Sequence, residues 1–150
     1  MFDKKLEIPI ASDHGGFELK QFLIDQLSGS GYHLVDMGTF GTESVDYPDF
    51  IHPLAKAIND EKYNLGIIIC GSGQGASMTA NKYPNVRAAL LWDEEQAKLT
   101  RQHNNANIVS LPGRFIDEDL AVKIVEAFLN EDFEGGRHLT RVNKMSEVLK

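Results

Sequence analysis

The stretch IIICGSGQGAS, Ile67–Ser77, decides how the rest of the chain is read. Three isoleucines run into Cys70, the only cysteine, without alternation, which is the pattern of a strand covered on both faces. Gly71, Gly73 and Gly75 follow at once. Each glycine costs conformational entropy on folding, so three in five residues exceed what one strand-to-helix turn requires. Two readings therefore compete with a plain turn. One is a dinucleotide fingerprint, because Gly71–Ala76 satisfies G-x-G-x-x-A and Asp93 lies about twenty residues on. Against it, Pro84 leaves room for only about two helical turns after the loop, and the chain has no length for a separate substrate domain. No Gly-Lys-Ser/Thr follows, so it is not a Walker loop. The other reading is a cradle for a small anion, built from amides freed by glycine. Cys70 then becomes a candidate base or nucleophile, since thiols beside helix N-termini ionise more readily than free ones. A lone cysteine is otherwise commonly a small buried hydrophobe.

Outward from this stretch, short β-branched runs alternate with amphipathic segments. Strands are predicted at Leu6–Ala11, His33–Asp36, Leu65–Cys70, Ala88–Leu91 and Ile108–Leu111. Helices are predicted at Phe17–Leu27, from Pro48 through Ile58, after the glycine loop toward Pro84, at Asp93–Gln102 and at Asp117–Leu129. A last helix follows Gly135-Gly136 and carries Val142, Met145 and Leu149. This alternation predicts one α/β domain over 1–150, a five-stranded parallel sheet with helices on both faces. Sites in such sheets lie beyond the carboxyl ends of the strands. SDHGG (Ser12–Gly16), Gly71–Gly75 and PGR (Pro112–Arg114) should therefore meet at one edge.

The net charge of −7 disfavours nucleic acid as a partner, although local arginines can still hold an anion. No run approaches the ~18 apolar residues of a membrane span, and the N-terminus has no signal-peptide pattern. One cysteine allows no intrachain disulfide, which fits a reducing cytoplasm.

Asp13-His14 falls where the first strand ends, so Asp13 is a candidate proton acceptor or orienter and His14 an anion contact. Arg137 and Arg141 stand four apart beside His138, either a solvated basic face or a phosphate clamp to which Arg114 adds a third charge. His103 and Asn104 end the fourth helix, where asparagine is also a common cap. That helix runs antiparallel to the strands, so its end lies at the edge opposite Cys70. If both act in one site, a two-fold dimer is the simplest solution.

SDHGG, DYP (Asp46–Pro48), ICGSGQG (Ile69–Gly75), ANK (Ala80–Lys82), RQHNNAN (Arg101–Asn107) and EGGRH (Glu134–His138) with Arg141, in this order, resemble the ribose-5-phosphate isomerase B family over nearly the whole chain. That family includes galactose- and allose-6-phosphate isomerases. The resemblance implies a Rossmann-like three-layer α-β-α sandwich, no metal and no nucleotide cofactor. It implies interconversion of phosphorylated aldoses and ketoses through an enediol(ate), and a homodimer, which can pair into a tetramer, with the site shared between subunits. Ribose 5-phosphate is the expected substrate, with six-carbon phosphates as the alternative and a non-catalytic nucleotide- or sugar-phosphate-binding module as the rival of another class.

Carried onto this sequence, the resemblance implies that Cys70 moves a proton between C2 and C1. Ser72 and the amides from Gly71 through Gly73 to Gly75 hold the enediolate oxygens. His103, helped by Asp13, opens the furanose ring, and Tyr47 and Asn104 bind hydroxyls. His14, Arg114, Arg137, His138 and Arg141 surround the phosphate. One branch of the family uses a glutamate where this chain has Ala76, which leaves Cys70 as the evident base. Ser72 keeps the hydroxyl of a usual threonine, and Gln74, at a place that is often small or apolar, can reach a substrate hydroxyl.

Overall fold

The computed structural model describes residues 1–149; residue 150 and the side chain of Leu149 lie outside the described residues. Five strands form one wholly parallel sheet: β1 (Glu7–Ser12), β2 (His33–Asp36), β3 (Gly66–Cys70), β4 (Ala88–Leu90) and β5 (Ile108–Pro112). Their order is β2-β1-β3-β5-β4. The three inner strands are the apolar runs, and every residue of β3 and β5 is buried. Edge strands β2 and β4 are only partly buried, as strands with a single neighbour should be. The chain reverses its winding between β1 and β3, so the switch point falls at Ser12 and Cys70, where an open α/β sheet opens a crevice.

Among the described residues there are six α-helices, α1 (Phe17–Gly29), α2 (Tyr47–Asn59), α3 (Gln74–Ala80), α4 (Glu94–Asn104), α5 (Glu118–Asn130) and α6 (Arg137–Lys144), the last of which packs on α4. On one face Leu19, Leu23 and Leu27 of α1, Ala97 of α4 and Ile124, Val125 and Phe128 of α5 pack against Ile8, Ile10, Ile67, Ile69 and Val109. On the other, Ile51, Leu54, Ala55 and Ile58 of α2 and Ala76 and Ala80 of α3 pack against Ala11, Ile68 and Cys70. The sandwich is thus three-layered. Burying a leucine or isoleucine fully is worth about 1.5–3 kcal/mol, so these two clusters carry the fold.

Helix ends follow local chemistry. The Asp93 carboxylate accepts from Gln96 N–H at 2.8 Å and caps α4; Asp117 does the same for α5 through Leu120 N–H at 2.7 Å. Asp93 is therefore a cap, and the acidic residue that the dinucleotide reading needed is spent. The left-handed residue that closes α4 is Asn105 (φ 47°), one beyond Asn104. The last helix is shorter than its periodicity predicts: α6 stops at Lys144, and a 3-10 turn over Glu147–Leu149 follows.

Candidate active site

Backbone hydrogen bonds bring the three predicted segments together at the carboxyl edge of the sheet. Asp13 N–H donates to Ile69 O at 3.3 Å, Gly113 N–H to Cys70 O at 2.9 Å and Arg114 N–H to Gly71 O at 3.0 Å. Asp13 is buried, and its carboxylate accepts from Gly16 N–H at 3.1 Å, which holds the turn after β1 in shape. His14 is half-buried, and its Nδ1 accepts from Val45 N–H at 3.1 Å. That bond fixes the ring and leaves Nε2–H as its outward donor. Cys70 is 5 % exposed, with the apolar α2/α3 cluster on one side and the glycine loop on the other. Half-buried Ser72 receives Gln74 N–H at 3.3 Å, and Gln74 itself is exposed.

The glycines make room for particular partners. A methyl group at Gly71 would touch the Arg114 guanidinium at 3.3 Å, and one at Gly15 would meet the same guanidinium and Asp13 Oδ1, each at 3.3 Å. At Gly75 it would stand 2.6 Å from the Tyr47 ring. Arg114 and Tyr47 therefore lie directly over the loop that follows Cys70. Gly73 is held from below: Ser110 Oγ–H on β5 donates to Gly73 O at 2.7 Å, and so does Ser77 Oγ–H. One consequence is measurable at Gly75. It sits in the first turn of α3 with an ordinary helical φ, so alanine costs little backbone energy. The displaced Tyr47 ring is partly exposed and free to swing away. Gly75→Ala is expected to leave the thermal midpoint within a few degrees of wild type while raising KM several-fold, measured by thermal denaturation and steady-state kinetics.

The remaining candidates gather elsewhere. α4 ends near the start of β3, since Gly66 N–H donates to Asn107 O at 2.9 Å. His103 and exposed Asn104 thus sit at the amino edge of the sheet, roughly 13 Å of strand away from Cys70. The His103 and His138 rings stack at 4.4 Å between centroids, and Glu134 N–H donates to Gln102 O at 3.0 Å. Arg137 and Arg141 project from α6 into solvent, whereas His138 is the buried residue of that helix. The structure therefore gathers Asp13, His14, Tyr47, Cys70, Gly71–Gly75 and Arg114 in one group. His103, Asn104, Arg137, His138 and Arg141 form a second group.

Burial first, then the nearby charges of His103 and Arg137, pushes the His138 imidazole below the usual histidine value; Glu134 pulls the other way. The depressed pKa means that the unfolded chain binds this proton before the folded one does. Stability from this group is present above about pH 6.5 and is lost as pH falls toward the folded value. His138→Asn is expected to flatten that fall. Denaturant unfolding at pH 7.5, 6.5 and 5.5, at fixed protein concentration, checks it.

Three polar residues with structural consequences for the site receive no role in the sequence reading. Lys20 is fully buried on the apolar stripe of α1, paired with Asp36 at 2.7 Å. Asp36 Oδ1 also accepts from Gly38 N–H at 3.0 Å, and Gly38 O in turn accepts from Ser12 N–H at 2.7 Å. The pair thereby ties the loop after β2 to the end of β1. Ser110 anchors Gly73, and Glu134 faces both stacked histidines. For Lys20 and Ser110 the signal was available: each is a polar residue inside an otherwise apolar pattern. A cavity of about 680 Å³ lies at the opposite amino edge. There Arg101 and Arg87 spend their N–H groups on Glu131, Ala106 and Asn105 carbonyls. No described helix is long and apolar enough to cross a membrane.

A family model described as Ribose/Galactose Isomerase matches residues 8–145. A probable ribose-5-phosphate isomerase B of Mycoplasma pneumoniae is 43 % identical over 139 residues, 92 % of this chain and 91 % of the relative. The solved ribose-5-phosphate isomerase B of Clostridium thermocellum superposes with a TM-score of 0.93 at 46 % identity, covering 96 % of this chain and 97 % of the other. The Mycoplasma genitalium ribose-5-phosphate isomerase B, solved with bound ribulose-5-phosphate, gives a TM-score of 0.92 at 40 % identity and 98 % coverage of both chains.

Proposed function

The chain belongs to the ribose/galactose isomerase family, and from that premise we propose that it interconverts ribose 5-phosphate and ribulose 5-phosphate through an enediol(ate). One observation carries the reading furthest. Tyr47 and the Arg114 guanidinium close over bare glycines immediately after Cys70, so donors, a cation and a proton carrier share one strand end.

The proposed chemistry balances without a redox partner. Cys70 Sγ takes the proton from C2 of the open aldose, and the freed electron pair makes the C1–C2 double bond. Negative charge that develops on the oxygens is met by Ser72 and the amides of Gly71–Gly75, preorganised by the Ser110 anchor. The hydroxyl proton moves from O2 to O1, and the thiol returns its proton to C1. Near-complete burial of Cys70 slows, without abolishing, exchange of the transferred proton with water. His14, through Nε2–H, and Arg114 would hold the phosphate; binding there supplies orientation rather than chemistry.

The working unit is proposed to be a homodimer, alone or paired into a tetramer. In that dimer His103 and Asn104 of one copy, with Arg137, His138 and Arg141, complete the site around Cys70 of the other. Support comes from the separation of the two groups within one chain, and from exposed apolar residues such as Met78, Trp92, Leu139 and Met145, which a second copy would cover. The lone thiol suits a reducing compartment, and the cytoplasm is the proposed location.

Exposed Gln74 at the loop favours a second reading, a six-carbon phosphate as preferred substrate, because an amide there can meet an extra hydroxyl. A panel of five- and six-carbon sugar phosphates, followed by solvent-deuterium incorporation at C1 and C2, tests the proposal. The highest kcat/KM is expected for ribose 5-phosphate. A six-carbon preference would transfer the assignment, and no turnover of any member, with ligand still bound, would leave a binding module.

A further inference from the structure

At the α4–α6 corner, His103, Glu134 and His138 each offer one ligand atom, and these three atoms lie within 4.8 Å of one another. Glu134 Oε1 is 3.8 Å from His103 Nε2 and 3.6 Å from His138 Nε2. These gaps are too long for hydrogen bonds, so the carboxylate is held between two imidazoles without being consumed by either. Two histidines and one carboxylate are a recurrent donor set for zinc with a further position left open. Metal–ligand bonds of about 2.0–2.1 Å place tetrahedral ligand atoms about 3.3 Å apart, so Glu134 needs to move only a few tenths of an ångström toward each ring. The larger adjustment falls on His103, whose ring stacks on His138 at an interplanar angle of 14° and must tilt to aim its lone pair at the same point. Its side chain is 41 % exposed and free to do so, while His138 is fixed by burial.

We propose that His103, Glu134 and His138 form a site for one divalent cation of the zinc type. Occupancy switches the enzyme off by withdrawing both histidines from the sugar phosphate. Imidazole donors select zinc, cobalt, nickel or copper over magnesium and calcium, which prefer all-oxygen shells. Arg137 and Arg141 stand on the same helix and oppose a second positive charge, so affinity is moderate and the ion is a reversible inhibitor rather than a resident cofactor. Binding stands on this cluster alone; inhibition rests on the role proposed above for His103 and His138.

The test uses the untagged full-length chain carrying Cys70→Ser, which removes the competing thiolate ligand, with Co²⁺ as a spectroscopic probe and Zn²⁺ as its competitor. One equivalent per chain is expected, with Co²⁺ d–d bands that Zn²⁺ abolishes and Mg²⁺ does not. Glu134→Gln and His138→Ala should each weaken binding by at least about tenfold, the range seen even for outer-shell changes at metal sites. His52→Ala, on α2, should leave it unchanged. Binding that is equal in all three variants, or no stoichiometric binding by a chain whose circular dichroism is native, overturns the site. In the wild-type enzyme Zn²⁺ should lower turnover reversibly, with recovery on chelation and a weaker response in Glu134→Gln. Stoichiometric binding without loss of turnover would support the site and reject the role given to His103.

Discussion

Cys70→Ala is expected to lower kcat on ribose 5-phosphate by about 10³-fold, within the range that a positioned acid–base group contributes. The fold should survive. Alanine removes one buried sulfur from a cluster that keeps Ile51, Leu54, Ala55 and Ile68, at a cost of about 1 kcal/mol. Groups proposed to hold the phosphate are untouched, so affinity for inorganic phosphate should stay within about twofold of wild type, well under the 1.4 kcal/mol of a tenfold change. Stopped turnover with binding preserved is the signature of lost chemistry. Cys70→Ser, which keeps the size but offers a far weaker base, should fall nearly as far. An unchanged kcat in either variant rejects the assigned base, and Ala76 leaves no neighbouring carboxylate at the family's alternative position to take its place.

Gly73→Ala is expected to damage both stability and activity, unlike Gly75→Ala two residues on. Gly73 caps α3 in the left-handed region, at φ 74°, which costs a non-glycine residue about 1–2 kcal/mol. Its added methyl would also lie 2.5 Å from Leu90 Cδ1 and 3.0 Å from the backbone carbon of Leu111. Leu90 can give, but the β5 backbone cannot, and overpacking of this kind adds about 1–3 kcal/mol. The sum, about 2–5 kcal/mol, is a large part of the stability of a domain this size. Relief requires the loop to lift away from β5, which breaks the Ser110–Gly73 hydrogen bond and moves the amides proposed to meet the enediolate. Loss of a preorganised donor costs about 10²–10³ in rate. Thermal denaturation and kcat/KM should therefore fall together. A variant with wild-type activity would mean that the loop's amides are not aimed at the reacting oxygens.

The two glycines differ because a side chain at Gly73 would meet the β5 backbone at Leu111, whereas one at Gly75 would meet a movable ring. That distinction was not legible in the sequence, where Gly71, Gly73 and Gly75 look equivalent. The strands were legible because inner β3 is apolar throughout and β5 is broken only by Ser110, and their flanking motifs fixed the edge where SDHGG, the glycine loop and PGR meet. Strand order was not, since nothing in the β4 or β5 text says that β5 inserts beside β3. The opposition of Cys70 and His103 could be deduced from helix direction alone. The stacking of His103 on His138, and Glu134 between them, could not, because it depends on how α6 docks on α4, and exposed residues dominate that helix.

One active site is proposed to draw on two copies of the chain, Cys70 from one and His103 from the other. Mixing Cys70→Ala with His103→Ala protein, each inactive alone, tests it most directly. With equal amounts and free exchange, half of the dimers are mixed and one of their two sites is intact, so activity should recover to roughly a quarter of wild type. No recovery, with exchange demonstrated by differently labelled subunits, would contradict a shared site.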